Sequence, residues 1–114
     1  MATKTRNKEE DKLWNLESAE ARNRLYKTFD IPSRDVRESL TPGYFAKLIF
    51  VAKLPPAGER MWVEIRKKTK TGYVGVLKNT PVALALKDIL LSGDEVIFGP
   101  EHIVSISPPE KVEG

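Results

Sequence analysis

The stretch "RMWVEIRK", Arg60 to Lys67, alternates without a break. In an extended chain Met61, Val63 and Ile65 fall on one face and Arg60, Trp62, Glu64 and Arg66 on the other. Helical spacing would scatter the same residues around a cylinder, so the pattern predicts a half-buried β-strand. "KTKTG" follows at once and reads as a hairpin tip, with Gly72 free to take a left-handed conformation. "YVGVLK" is the return strand. Whatever else the chain does, it folds around this antiparallel hairpin.

The neighbouring segments supply the rest of a sheet. "YFAKLIFVA" reads as a strand, "LPPAGE" (Leu54 to Glu59) as a loop and "NTP" as a turn. "SGDEVIFGP" is a turn and a strand, and "EHIVSI" a last strand. Residues 82–91, "VALALKDILL", are apolar enough for a strand followed by a short helix. Upstream, Leu13, Trp14 and Leu16 mark the onset of packing. Ser18 can cap a helix running to about Phe29, with Ala21, Leu25, Tyr26 and Phe29 as its apolar stripe. Pro32 fits extended chain, Ser33 can cap one short helical turn, and Pro42-Gly43 ends it. Leu40-Thr41-Pro42-Gly43 and Leu90-Leu91-Ser92-Gly93 echo each other: a leucine for the core, a glycine for the turn, then a strand.

Five short strands and little helix predict an α+β fold. The expected form is a small, strongly bent antiparallel sheet, an SH3-like partial barrel of about five strands with the N-terminal helix packed over one open end. An open antiparallel sheet with a helix on one face is the alternative. Residues 1–12 read as a disordered arm, 13–107 as a single α+β domain and 108–114 as a loose tail.

Composition narrows the chemistry. The 114 residues are 40% hydrophobic and 31% charged, which suits one modest core with a soluble surface. With no cysteine and one histidine, His102, disulfides and thiolate catalysis are excluded and a zinc site is unfavourable. The first residues lack the apolar stretch of a signal peptide, and no run is long enough to span a bilayer, so a cytoplasmic protein without membrane contact is expected. No cofactor or metal is expected. The net charge of +3 is unevenly placed: Arg60 to Lys78 alone carries +5.

That local excess gives a candidate nucleic-acid contact, Arg66, Lys67, Lys68 and Lys70, with Trp62 or Tyr73 as a stacking platform. The bland reading is a solvated tip whose lysines discourage edge-to-edge association. A candidate protein interface is Arg60, Trp62, Glu64 and Tyr73 on the outward face of the hairpin. Trp62 there is either an exposed anchor or covered by the N-terminal helix with Arg60 stacked on it. The helix's need to bury its stripe favours coverage. Asn79 before Pro81 is expected to bond its own backbone. Glu101, His102 and Ser105 invite a triad reading, but no nucleophile elbow is present and a capping or edge histidine is the better account. Gly72, Gly75 and Gly93 lack the strand-to-helix setting of a phosphate loop. Gly75 reads as close approach or a bulge, Gly93 as a turn. No catalytic constellation is visible, so the chain reads as non-catalytic.

"TFDIPSRDVRESLTPGYFAKLIF", "GERMWVEI", "GYVGVLKNTPV" and "SGDEVIFGPEHIVSI" together resemble the YegJ-like bacterial family catalogued as domain of unknown function 2314. The likeness spans roughly Phe29 to Ile106 and rests on Ile31, Pro32, Ser33, Leu40, Gly43, Arg60, Trp62, Gly72, Gly75, Leu77, Asn79, Pro81, Gly93, Asp94, Phe98 and His102. Thr80 and Tyr44 stand where the family often carries acids, and the segment from Pro81 to Gly93 is longer. The resemblance implies no established activity. Related small domains proposed as immunity proteins point to a protein-binding, immunity-like or regulatory role. The function expected is therefore protein binding, with a nucleic-acid module as the alternative.

Overall fold

The computed structural model describes residues 13–53 and 57–110. The expected arm over 1–12, the first half of the expected loop, 54–56, and the end of the tail at 111–114 lie outside them. In chain order the elements are β1 (Trp14–Leu16), α1 (Ala19–Leu25), α2 (Arg34–Glu38), β2 (Phe45–Ala52), β3 (Ala57–Lys68), β4 (Tyr73–Leu77), α3 (Leu84–Lys87), β5 (Glu95–Phe98), a 3₁₀ turn (Pro100–His102) and β6 (Ile103–Ser107). Residues 82–91 form a short helix and no strand. Ala57, Gly58 and Glu59, expected in the loop, extend β3 by pairing with Ala52, Val51 and Phe50.

All pairings are antiparallel, and β1 to β5 are neighbours in sequence order. The chain then returns through the 3₁₀ turn, so that β6 pairs with β2 over Phe45–Leu48, while β1 takes the same edge over Phe50–Ala52. The sheet curls into half a barrel, as expected for an SH3-like form. Strand alternation fills its interior with Leu48 and Phe50 of β2, Met61, Val63 and Ile65 of β3, and Val96 and Phe98 of β5. Leu86 and Leu90, from α3 and the residues after it, complete the packing.

The N-terminal helix packs on the sheet but does not cover an open end. Ser18 caps it as expected, its Oγ accepting the Ala21 N–H at 3.0 Å. It stops at Leu25, four residues before Phe29, and its one buried residue is Ala19. Ala19 meets Ile49 and Val104 on the outer face, joined there by Phe29 and Ile31 from the following extended chain. Leu25 and Tyr26 of the expected stripe are exposed. Too few apolar residues face inward to justify a longer helix, and the extended Phe29–Ile31 segment covers the same surface with larger side chains.

The echo between Leu40–Gly43 and Leu90–Gly93 is structural. Both leucines are buried, and both glycines have φ of +100° at the third position of a type II turn. Tyr44 N–H closes one turn on the Thr41 carbonyl, and Asp94 N–H closes the other on that of Leu91. Gly43 then donates to Ile65 O and Tyr44 O accepts from Ile65 N, as Gly93 and Asp94 do with Leu77. Each turn thus aligns its chain against a hairpin strand. Gly72 needs no positive φ: a Cβ there would lie 2.3 Å from the Phe98 carbonyl oxygen, so the residue is small because β5 passes over it. Gly75 lies opposite Ile65 beside the β3 bulge, and a Cβ there would lie 2.4 Å from Val63 Cγ1.

Arg37 is the one buried charged side chain among the described residues. Its Nε donates to Pro32 O at 2.8 Å, and Nη1 donates to Glu20 Oε2 at 2.7 Å and Pro100 O at 2.8 Å. One guanidinium so ties α1, the chain before α2 and the 3₁₀ turn together. The hydrogen bond from Arg37, with the charges of Arg37, Arg34 and Arg24, holds the Glu20 carboxyl below its ordinary value although burial pushes it up. Arg34, bonded to Glu38, is held above its own.

Arg37→Met strands two carbonyls and leaves Glu20 with Arg34 alone, and should cost about 3 kcal/mol in urea unfolding. Because the folded Glu20 pKa is depressed, its contribution is fully present above its ordinary value of 4.5 and is lost as pH falls through the folded value. The stability gap between wild type and Glu20→Gln should therefore shrink below about pH 4.5, by chemical denaturation across pH. Gly75→Ala should cost roughly 1–3 kcal/mol by overpacking. Gly58→Ala, whose Cβ would be no nearer than 3.6 Å to other atoms, should be neutral or stabilising.

Candidate functional site

Three of the four expected interface residues share the outer face of β3. Arg60 is exposed, and Trp62 and Glu64 are half-buried. Arg60 lays its guanidinium carbon 5.1 Å from the centre of the Phe29 ring, so its aromatic partner is Phe29, not Trp62. Trp62 is instead met by Lys47, directly across from it on β2, with Nζ 5.0 Å from the ring centre. Glu64 is 3.4 Å from Arg66 and 3.7 Å from Lys78.

The helix does not cover Trp62. Ala19, Phe29 and Ile31 cover Ile49 and Val104 and stop short of it. Trp62 borders an open groove of about 470 Å³, with Phe45, Glu64, Lys78, Asn79 and Pro108 among its walls. A second groove of about 440 Å³ runs past Arg60, lined by Ile49 and Val51 and bounded by Glu17, Arg22 and Glu59. Arg60 and Trp62 are successive outward residues, so the two grooves adjoin along β3.

Tyr73 belongs elsewhere. It is fully buried, packs against Phe98 at 5.4 Å between ring centres, and lies on the inner face with Leu77. "YVGVL" is apolar at every side chain, so alternation alone gives two possible phases. Leu77 takes the core, and the phenol can follow it because its hydroxyl has partners: it donates to Arg37 O at 2.6 Å and accepts from Leu40 N at 3.2 Å. Val74 and Val76 take the outer face, half-buried.

The basic tip is exposed at Arg66, Lys67, Lys68 and Lys70. Arg66 is paired with Glu64. Lys68 donates to Glu38 O at 2.6 Å and lies 4.8 Å from the Tyr73 ring centre. The cleft beside the tip contains Glu38 and Glu101 as well as Lys68, Lys70 and Arg34. Neither expected stacking ring serves it, since Tyr73 is in the core and Trp62 lies next to Lys47.

Asn79 is structural: it bonds the neighbouring Lys78 carbonyl at 3.4 Å as expected and also reaches across to β3. Its Oδ1 accepts the Trp62 N–H at 2.6 Å, and Lys78 N–H bonds Trp62 O, which carries the β3–β4 ladder past Leu77. Glu59 accepts from Val82 N and Ala83 N at 3.0 Å and so fixes the start of α3. His102 Nδ1 accepts the Gly99 N–H at 3.0 Å within the 3₁₀ turn, in keeping with a capping histidine. Sequence reading missed Lys47, Phe45 and Phe29 as neighbours of the site; the outward phase of "FAKLIFVA" places Phe45 and Lys47 on this face. No group of three or more His, Asp or Glu among the described residues is arranged to hold a metal ion.

Comparison with family models, curated proteins and solved structures returns no match to this chain. Among the described residues no helix is long and apolar enough to cross a membrane.

Tyr73→Phe separates the core role from a surface one. It should destabilise the fold by roughly 1–3 kcal/mol in urea unfolding, since the Leu40 N–H loses its buried acceptor. The amide NMR shifts of Arg60, Trp62 and Glu64 should stay unchanged.

Proposed function

We propose that the chain is a non-catalytic protein-binding domain, immunity-like or regulatory in role, that engages its partner through the outer face of β3. The observation that carries this reading is Trp62: a half-buried tryptophan held beside an open groove on the part of the face that the helix leaves bare. Large aromatic side chains with arginine nearby dominate the energetics of protein interfaces. The Asn79 bond to its backbone holds Trp62 in place, which lowers the entropy cost of binding through it. Membership of the YegJ-like family belongs to the same proposal and rests on the motif residues quoted above. A cytoplasmic location belongs to it too.

The nucleic-acid reading has weaker support. Arg66 and Lys68 already have partners, carboxylates share the cleft, and no ring is offered to a base. Among the described residues, only Lys67 and Lys70 of the four have no ion pair or ring contact and would be open to a phosphate backbone.

A photo-crosslinking residue at position 78 should yield one dominant protein adduct in cells. Trp62→Ala, with an unchanged fold by circular dichroism, should weaken the isolated complex about thirtyfold, the loss of about 2 kcal/mol typical of a central anchor. Lys67→Ala with Lys70→Ala should leave it intact. A complex indifferent to Trp62 but lost with the tip lysines would replace this reading with the other.

A further inference from the structure

We infer that the partner presents an acidic, extended segment to this face, and that Arg60 and Lys47 are the groups that recognise its carboxylates. The inference rests on the protein-binding reading and gives the partner a chemistry.

The argument starts from how the cations of the chain are satisfied. Arg22, Arg34, Arg37, Arg66 and Lys78 each meet a carboxylate within 4.0 Å. Arg60 and Lys47 have no carboxylate partner among the described residues. Each instead lies against an aromatic ring, Phe29 and Trp62 respectively. A ring face orients a cation while leaving its N–H groups unused, because the attraction is to the π cloud and not to an acceptor. A guanidinium held this way keeps its planar fork for a carboxylate. Among the described residues the tip lysines Lys67 and Lys70 also lack ion pairs, but no ring contact orients them.

The two cations are neighbours. Lys47 pairs across from Trp62, and Ile49, two residues on, pairs across from Arg60. Lys47 and Arg60 are thus diagonal positions on one face, about 7–8 Å apart at the backbone. Acidic residues two apart in an extended chain have nearly that spacing. Between and beside them lie apolar surfaces for the partner's intervening side chains: Trp62 and Phe45 at one groove, the half-buried Val51 at the other.

The same face disfavours nucleic acid. Glu17, Glu59 and Glu64 border the two grooves. Glu17 is neutralised by Arg22 and Glu59 is engaged by the Val82 and Ala83 amides before α3, so discrete carboxylates can approach Arg60. A continuous phosphate backbone would have to run past all three acids. Spaced charges with apolar residues between them fit this pattern, and a uniform polyanion does not.

The test uses the full chain labelled with nitrogen-15 and the probe peptide acetyl-Glu-Val-Glu-Val-Glu-amide, with its all-glutamine counterpart and a twelve-residue oligothymidine beside it. The glutamate peptide should shift the Arg60 Nε–H and Trp62 indole N–H signals. The glutamine peptide should bind at least tenfold more weakly. Arg60→Gln and Lys47→Gln should each reduce the affinity for the glutamate peptide about tenfold, and Lys67→Gln with Lys70→Gln should not. Equal binding of the two peptides, no shift at 5 mM glutamate peptide, or oligothymidine binding that is lost in Arg60→Gln would overturn the inference. The protein-binding reading is judged separately: a cellular complex lost in Trp62→Ala but unchanged in Arg60→Gln and Lys47→Gln upholds that reading and rejects the acidic segment.

Discussion

The buried Arg37 guanidinium is the contact on which the arrangement of this fold depends. A charge so enclosed is tolerable only where its donors are met, and here a carboxylate and two backbone carbonyls meet them. The three acceptors belong to segments with little apolar surface of their own: a seven-residue helix, an extended Ile-Pro-Ser stretch and a 3₁₀ turn. Arg37 holds through polar geometry what a larger core would hold through area. Its own carbonyl then receives the Tyr73 hydroxyl, which carries the same anchoring into the interior of the sheet.

That link explains how the half-barrel curls. β6 reaches the edge of β2 only because the chain after β5 turns sharply at Pro100–His102, and Arg37 binds the Pro100 carbonyl. Gly72 lets β5 pass closely over the hairpin tip, and the His102 ring caps Gly99 on the far side of that approach. The paired turns at Gly43 and Gly93 set β2 and β5 against the hairpin through the same bonding pattern. Bending comes from the bulge between Ile65 and Lys67, opposite Gly75, where a side chain on β4 would collide with Val63.

Much of this is legible in the sequence wherever one physical rule acts alone. β3 announces itself because polar and apolar residues alternate, and its core and solvent faces can be assigned residue by residue. Gly93, the Ser18 and Ser33 caps and the Leu40/Leu90 echo follow from backbone conformations that few residues adopt. Tyr73 is not legible, because "YVGVL" is apolar in both phases and the hydroxyl's partners lie more than thirty residues away. Arg37 reads as an ordinary surface arginine on a short polar helix; its burial is decided by three segments meeting. The N-terminal stripe fails for a related reason. Helical spacing shows that Leu25 and Phe29 can share a face, but not that extended chain at Phe29 and Ile31 covers the sheet instead.

The candidate site is legible in part for the same reasons. Alternation identifies Arg60, Trp62 and Glu64 as a row, yet the character of the row is set by what stands beside it. α1 contributes only Ala19 to the cover of this sheet face. Because it ends at Leu25, the covering stops at Ile49 and Val104, and the boundary between covered and bare sheet falls between Arg60 and Trp62. Phe29, at the last edge of the cover, supplies a ring to Arg60; Trp62, at the first edge of the bare face, supplies one to Lys47. Two cations are thereby oriented by aromatic faces at a place where the neighbouring carboxylates, Glu17, Glu59 and Glu64, are engaged by other groups. In a chain that pairs most of its arginines internally, that is the surface most readily completed by a carboxylate from outside.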